Sequence, residues 1–220
     1  MTITHAALHP GASTVTAPVR RAALLCIAAG ILGAASGLAL AMVEPSVDSD
    51  RFSYPLSAEA FTWVQVWFGV HHLGLLAGLL ALRWAGALPD TRPARWGWAA
   101  AVIGMAGLAV TEIVAIAASD ADVDSGIGAM LGGLYGVTCV AMGVGLVLAG
   151  ASMWRAQVWE GWRRGVVLAL GVWVFVPMFP ALIVTPTDGA RLAIGGWMLL
   201  FAVLGVALLS PVRRAVALPA

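Results

Sequence analysis

The chain has 220 residues, 61% of them hydrophobic and 10% charged, with a mean hydropathy of +0.93. Soluble domains carry roughly 25% charged residues, so this balance excludes a water-soluble globular protein and points to one packed in lipid. Twelve basic residues, all arginine, oppose eleven acidic ones for a formal net charge of +1, which excludes a basic nucleic-acid surface.

Residues 1–19 lack helical periodicity and are rich in Thr, Pro, Ala and Gly, the composition of a disordered tail that leaves His5 and His9 solvated. Six apolar segments follow, at about 22–43, 58–83, 96–118, 127–152, 165–184 and 190–210. At 1.5 Å per residue each is long enough for a hydrocarbon layer of ~30 Å. The expected fold class is therefore all-α, a polytopic membrane protein built as a bundle of six transmembrane helices. The membrane domain takes residues 20–214, and 215–220 form a short C-terminal tail.

The first segment competes with a signal peptide, because Ala39-Leu40-Ala41 resembles a cleavage site. Its apolar stretch exceeds the usual signal core of about 7–15 residues. Cys26, Gly30, Gly33, Gly37 and Ala41 also form a small-residue stripe suited to helix packing, so a retained span is expected. Loop one follows, and its Ser57 precedes Ala-Glu-Ala as a helix cap.

The second segment carries Gln65, His71 and His72 in an otherwise apolar run. Helical spacing puts Trp67, His71, Gly74 and Gly78 on one face, and Gln65, Phe68, His72 and Leu79 on another about 100° away. Adjacent histidines diverge on a helix, whereas a chelating pair needs i,i+3 or i,i+4 spacing. No metal site, haem or other cofactor is expected. The two cysteines, Cys26 and Cys139, both fall inside apolar runs and suggest neither a disulfide nor a redox pair.

The third segment holds Thr111 and Glu112, the latter about eight residues, or ~12 Å, from Asp120. A carboxylate facing lipid costs several kcal/mol, so Glu112 should face the bundle interior or a cavity, or take up a proton. It lies in line with Gly97, Ala101, Gly104, Leu108 and Ala115, a face fit for close packing. Two readings stay open: a proton-titrating Glu–His pair served by an outward cavity, or a structural bond to a histidine, Gln65, Tyr135 or Arg191. The acidic run at 119–126 lacks the spacing of an EF-hand and reads as a solvated loop.

The fourth segment bears Tyr135 and Thr138, with Gly128, Gly132, Gly136 and Gly143 at helical spacing. That glycine face predicts the central helix of the bundle. In the fifth, Pro177 and Pro180 remove backbone donors and predict a kink or break. The sixth opens with Asp188 as a candidate cap and Arg191 as a possible ion-pair partner, for Asp188 or the outer acids before Glu112.

Orientation follows from arginine. Arg20, Arg21, Arg83, Arg92, Arg95, Arg155, Arg163, Arg164, Arg213 and Arg214 flank one set of span ends, and only Arg51 and Arg191 the other. The positive-inside rule then places both termini in the cytoplasm and the protein in the cell membrane. Trp84, Trp96, Trp98, Trp154, Trp159 and Trp162 are expected to form an aromatic belt at the cytoplasmic face.

"YPLSAEAFTWVQVWFGVHHLGLLAGLLAL", "LGGLYG" and "RLAIGGWMLLFAVLGVALL" together resemble the uncharacterised six-span integral membrane proteins of high-GC actinobacteria. The resemblance covers residues 20–210 and implies a topology, with no activity attached to any residue. No hydrolase elbow, phosphate loop or zinc helix is present, so an enzyme has no recognisable nucleophile here. The expected partners are the lipid bilayer, a small solute or proton, and other membrane helices. Two functions stand: a small transporter or permease-like protein built on Gln65, His71, His72, Glu112 and Tyr135, or a non-catalytic accessory or assembly subunit of a membrane complex.

Overall fold

A computed structural model describes residues 15–184 and 188–212. His5, His9, Arg213, Arg214, the 215–220 tail and the side chain of Asp188 lie outside the described residues. The elements are α1 (Ala17–Ala41), α2 (Ala58–Trp84), α3 (Arg92–Ala115, prolonged by a 3-10 turn Ile116–Ala118) and α4 (Gly126–Arg155). A 3-10 turn Gly161–Gly165 leads into α5 (Val166–Trp173), a π-helical segment Val174–Met178 and α6 (Phe179–Val184), and α7 (Asp188–Leu208) completes the chain. Six of these helical stretches are long and apolar enough to cross a membrane, and no strand occurs among the described residues. The chain is a multi-pass, all-α membrane bundle.

Local chemistry sets the boundaries. Pro18 in the first turn of α1 starts the helix at Ala17, so residues 17–19, expected in the tail, are helical. Ser57, Thr91 and Ser125 accept backbone N–H bonds from Ala60, Ala94 and Gly128 at 3.3, 3.4 and 3.2 Å and cap α2, α3 and α4. At the other end of α2, Gly86 takes φ +69°, and Ala87 N–H reaches back to the Leu82 carbonyl at 2.9 Å. This is the left-handed glycine closure of a helix C-terminus. Pro177 has no N–H to donate and its ring crowds the preceding turn; a wider π turn absorbs both defects where the sequence predicts a break.

The spans form a closed ring: α1 on α2, α2 on α3, α3 on α4, α4 on α5, α5 on α7, and α7 back on α1. Helix α4 is thus one member of the ring and not its centre, which corrects the expectation drawn from its glycines. Gly143 does pack, against the Phe175 ring, but a Cβ at Gly132, Gly133 or Gly136 would meet no atom within 4 Å. Close contact occurs instead where glycine meets backbone. A Cβ on Gly97 would lie 2.7 Å from the Ala149 nitrogen, and one on Gly30 would lie 2.6 Å from the Met198 carbonyl oxygen. Without side chains between them, the backbones of α3 and α4, and of α1 and α7, approach to dispersion contact.

We call the end bearing 42–57 and 119–125 the acidic end, and the opposite one the arginine end. Toward the arginine end the interior is filled with fully buried Leu79, Leu82, Met142, Leu146, Met153 and Leu204. Indole N–H groups pin neighbouring helices: Trp98 donates to the Leu79 carbonyl at 2.8 Å and Trp173 to Ala193 at 2.8 Å. Trp98 and the buried Trp159 therefore leave the expected aromatic belt, whose remaining members Trp84, Trp96, Trp154 and Trp162 are exposed. For Trp98 the inward turn satisfies the N–H and fills the core at once, whereas Trp159 fills the core with its N–H unpartnered among the described residues.

Candidate functional site

Four of the polar residues singled out from sequence converge near the acidic end. Tyr135 of α4 donates its hydroxyl proton to Glu112 Oε2 of α3 at 2.7 Å, and Gln65 Nε2 of α2 donates to the Tyr135 oxygen at 3.2 Å. His72 Nδ1 stands 3.7 Å from Glu112 Oε1 and bonds the Phe68 carbonyl at 2.8 Å. A carbonyl only accepts, so Nδ1 carries the hydrogen and the basic lone pair of the neutral ring is on Nε2. The result is a row, Gln65 to Tyr135 to Glu112 to His72, built from three helices. Gln65, His72 and Glu112 are each at most 6% exposed, deep enough that the row acts in a low-dielectric interior.

The helices place these groups for reasons visible in the packing. The Glu112 face of α3 continues through Gly104 and Gly97, which lie against Thr138, Met142 and Ala149 of α4. Close approach there brings the Tyr135 phenol within bonding distance of the carboxylate. The second α2 face, bearing Gln65, Phe68 and His72, turns to the same place, as its spacing requires.

His71 does not join them. Its face of α2 packs on α1, where a Cβ on Gly74 would lie 2.5 Å from the Ala29 methyl. The His71 ring meets Trp67 edge-on with centroids 4.3 Å apart, and Trp67 in turn bonds Ser36 of α1 at 2.9 Å. Neither His71 nitrogen has a hydrogen-bond partner among the described residues, although the side chain is buried. Leaving such a group unsatisfied costs about 1–3 kcal/mol, and an apolar replacement of similar shape removes the cost. His71→Leu should therefore keep or raise the unfolding temperature in detergent, whereas His72→Leu lowers it; equal losses would contradict this placement of the rings.

A cavity of about 430 Å³ lies beside the row at the acidic end. Gln65, Phe68, Glu112 and Tyr135 line one part of it. Residues 52–56 of loop one close over it, and Phe61, Val64, Leu182, Arg191 and Ile194 complete the walls with Gly37 and Leu40 of α1. Neither histidine lines it. Arg191 donates an N–H to the Leu40 carbonyl, and no ion pair with Glu112 is formed among the described residues. Its side chain thus reaches inward from α7 to α1, and the expected pairing with Asp188 falls on a side chain outside the described residues.

Loop one holds its position through the 119–125 loop. Phe52 N–H bonds the Ala121 carbonyl at 2.9 Å, Val123 N–H bonds Asp50 at 2.8 Å, and Arg51 pairs with Asp122 at 3.2 Å. Beneath this clasp Phe52 and Phe61 meet edge-on at 6.0 Å. The run at 119–126, expected as a solvated loop, is therefore also a strap. Sequence reasoning missed Phe52, Ser53, Tyr54 and Phe61 as cavity walls; the one signal for it was Arg51, a lone cation among the acids of loop one. The cysteines stay apart and free, Cys26 Sγ donating to the Phe201 carbonyl at 3.2 Å. No group of three or more His, Cys, Asp or Glu able to hold a metal ion occurs among the described residues.

Chemically, the arrangement offers a buried acid hydrogen-bonded to a phenol, next to a space sized for a small molecule. No protein-family model, no curated protein and no solved structure matches the chain.

Proposed function

We propose that the protein is a small transporter or permease-like protein in which protonation of Glu112 is coupled to a small solute entering the cavity. The observation that carries this reading is that Gln65, Tyr135 and Glu112 line a cavity of about 430 Å³ at the acidic end of a membrane bundle, with His72 behind Glu112. The arginine distribution supports an outward direction for that end. An intramembrane carboxylate beside a cavity is the usual form of a proton-coupling site. Among the described residues, the titratable groups around Glu112 are His72 of α2 with Tyr135 and Cys139 of α4. Buried Leu82, Leu146, Met153 and Leu204 pack the arginine half, which supports access to the cavity from the acidic end. Passage requires the other half to open, and the π-interrupted span α5–α6 is the irregular element available for that movement.

The test uses vesicles holding the purified protein and an internal pH dye. Inward gradients of amino acids, sugars, amines and organic acids are imposed one solute at a time, with the passive pH change in protein-free vesicles subtracted. Wild type should show solute-driven proton movement. Glu112→Gln keeps an oxygen for the Tyr135 hydroxyl but carries no exchangeable acid proton, and should lower that movement about tenfold or more. Equal proton movement in both proteins would contradict the reading.

One observation favours the second reading, an accessory or assembly subunit. The uncovered Gly132, Gly133 and Gly136 of α4 form a surface on which another membrane helix can lie closely. A partner co-purifying in stoichiometric amount would bring that reading forward.

A further inference from the structure

We propose that the cavity takes an amino-acid-like zwitterion with an apolar portion, its carboxylate on Arg191 and its ammonium on Glu112. The proposal names the solute class for the transport reading and rests on that reading. Among the described residues lining the cavity, Glu112 on α3 and Arg191 on α7 are the two that carry a full charge at neutral pH in exposed reference form, and they are of opposite sign.

The two charges are set on different helices and are not paired with each other. Arg191 is fixed against α1 by its bond to the Leu40 carbonyl, which orients the guanidinium beside the cavity. A guanidinium presents five N–H donors in a planar fork that matches a carboxylate. Glu112 has about four acceptor sites as a carboxylate, of which the Tyr135 hydroxyl takes one on Oε2. It is therefore equipped to accept from an ammonium.

Charge balance selects among solutes. A lone cation placed on Glu112 is repelled by Arg191, and a lone anion placed on Arg191 is repelled by Glu112. In a partly desolvated site each such juxtaposition is costly, so single-charge solutes are rejected. A zwitterion satisfies both groups with no net charge. The remaining walls are uncharged and mostly apolar, with Phe52, Phe61 and Phe68 beside the polar Ser53, Gln65 and Tyr135, which suits an uncharged side chain.

Equilibrium binding to the purified wild-type protein in detergent tests this without requiring transport. The probes are L-leucine, 6-aminohexanoate (the same two charges, wider apart), 4-methylpentanoate (leucine without its ammonium) and 3-methylbutylamine (leucine without its carboxylate). At least one zwitterion should bind, and both single-charge analogues should bind about tenfold more weakly or worse. Arg191→Gln and Glu112→Gln should each reduce zwitterion binding by a similar factor, with unfolding temperatures reported alongside. An analogue binding as tightly as the zwitterions overturns the proposal, as does no zwitterion binding at about 10 mM. The two readings fail differently. Zwitterion binding without proton movement in vesicles defeats the transport reading alone, whereas a single-charge solute that drives protons defeats the zwitterion alone.

Discussion

Replacing Gly145 by leucine should abolish the folded, monodisperse protein, while the same change at Gly132 should leave it intact. A Cβ on Gly145 would stand 2.5 Å from the Ala101 nitrogen and 2.5 Å from the Gly97 carbonyl oxygen. Both neighbours are backbone, so no side chain can swing away; α3 and α4 must separate. Overpacking alone costs about 1–3 kcal/mol, and separating these helices also parts Glu112 from Tyr135. Gly132 sits on the same helix, and a Cβ there would meet nothing within 4 Å. Size-exclusion profiles and thermal unfolding in detergent separate the two cases. A Gly145→Leu protein with wild-type behaviour would contradict the ring packing. If Gly132→Leu instead strips away a stoichiometric partner, the accessory reading gains.

The elements differ in how far they were legible from sequence, and the difference has a physical pattern. Span positions follow hydropathy and length, which are local, so each observed helix begins and ends within about five residues of expectation. The divergence of His71 and His72 follows from helical period alone, and the structure puts one toward α1 and the other near Glu112. Choosing Glu112 as the anchor follows from the cost of a buried acid. What local rules do not contain is which helix meets which. The glycines of α4 permit close approach without requiring it, and only the contact of α7 with α1 closes a ring that leaves Gly132 uncovered. The cavity is less legible still. Its cover depends on Arg51 meeting Asp122 and on Phe52 meeting Phe61, contacts between loops and a helix that no periodicity announces. Prolines 177 and 180 announce an interruption, and the widened π turn is the form that packing selects.

The proposed transport function requires that Glu112 and Tyr135 face a cavity reached from the acidic end, that this end is outside, and that the arginine half is closed. Side-specific cysteine labelling tests all three together. Val64 lines the cavity one turn above Phe68, and valine to cysteine is a small change in volume. Met153 is buried in the arginine half and serves as the sealed control. With Cys26 and Cys139 replaced by alanine, a membrane-impermeant maleimide is added to intact cells expressing either variant. The Val64→Cys protein should label strongly from outside, more slowly with a bound solute, and the Met153→Cys protein should label hardly at all. No labelling at Val64→Cys from outside, or equal labelling at both positions, would contradict the transport reading.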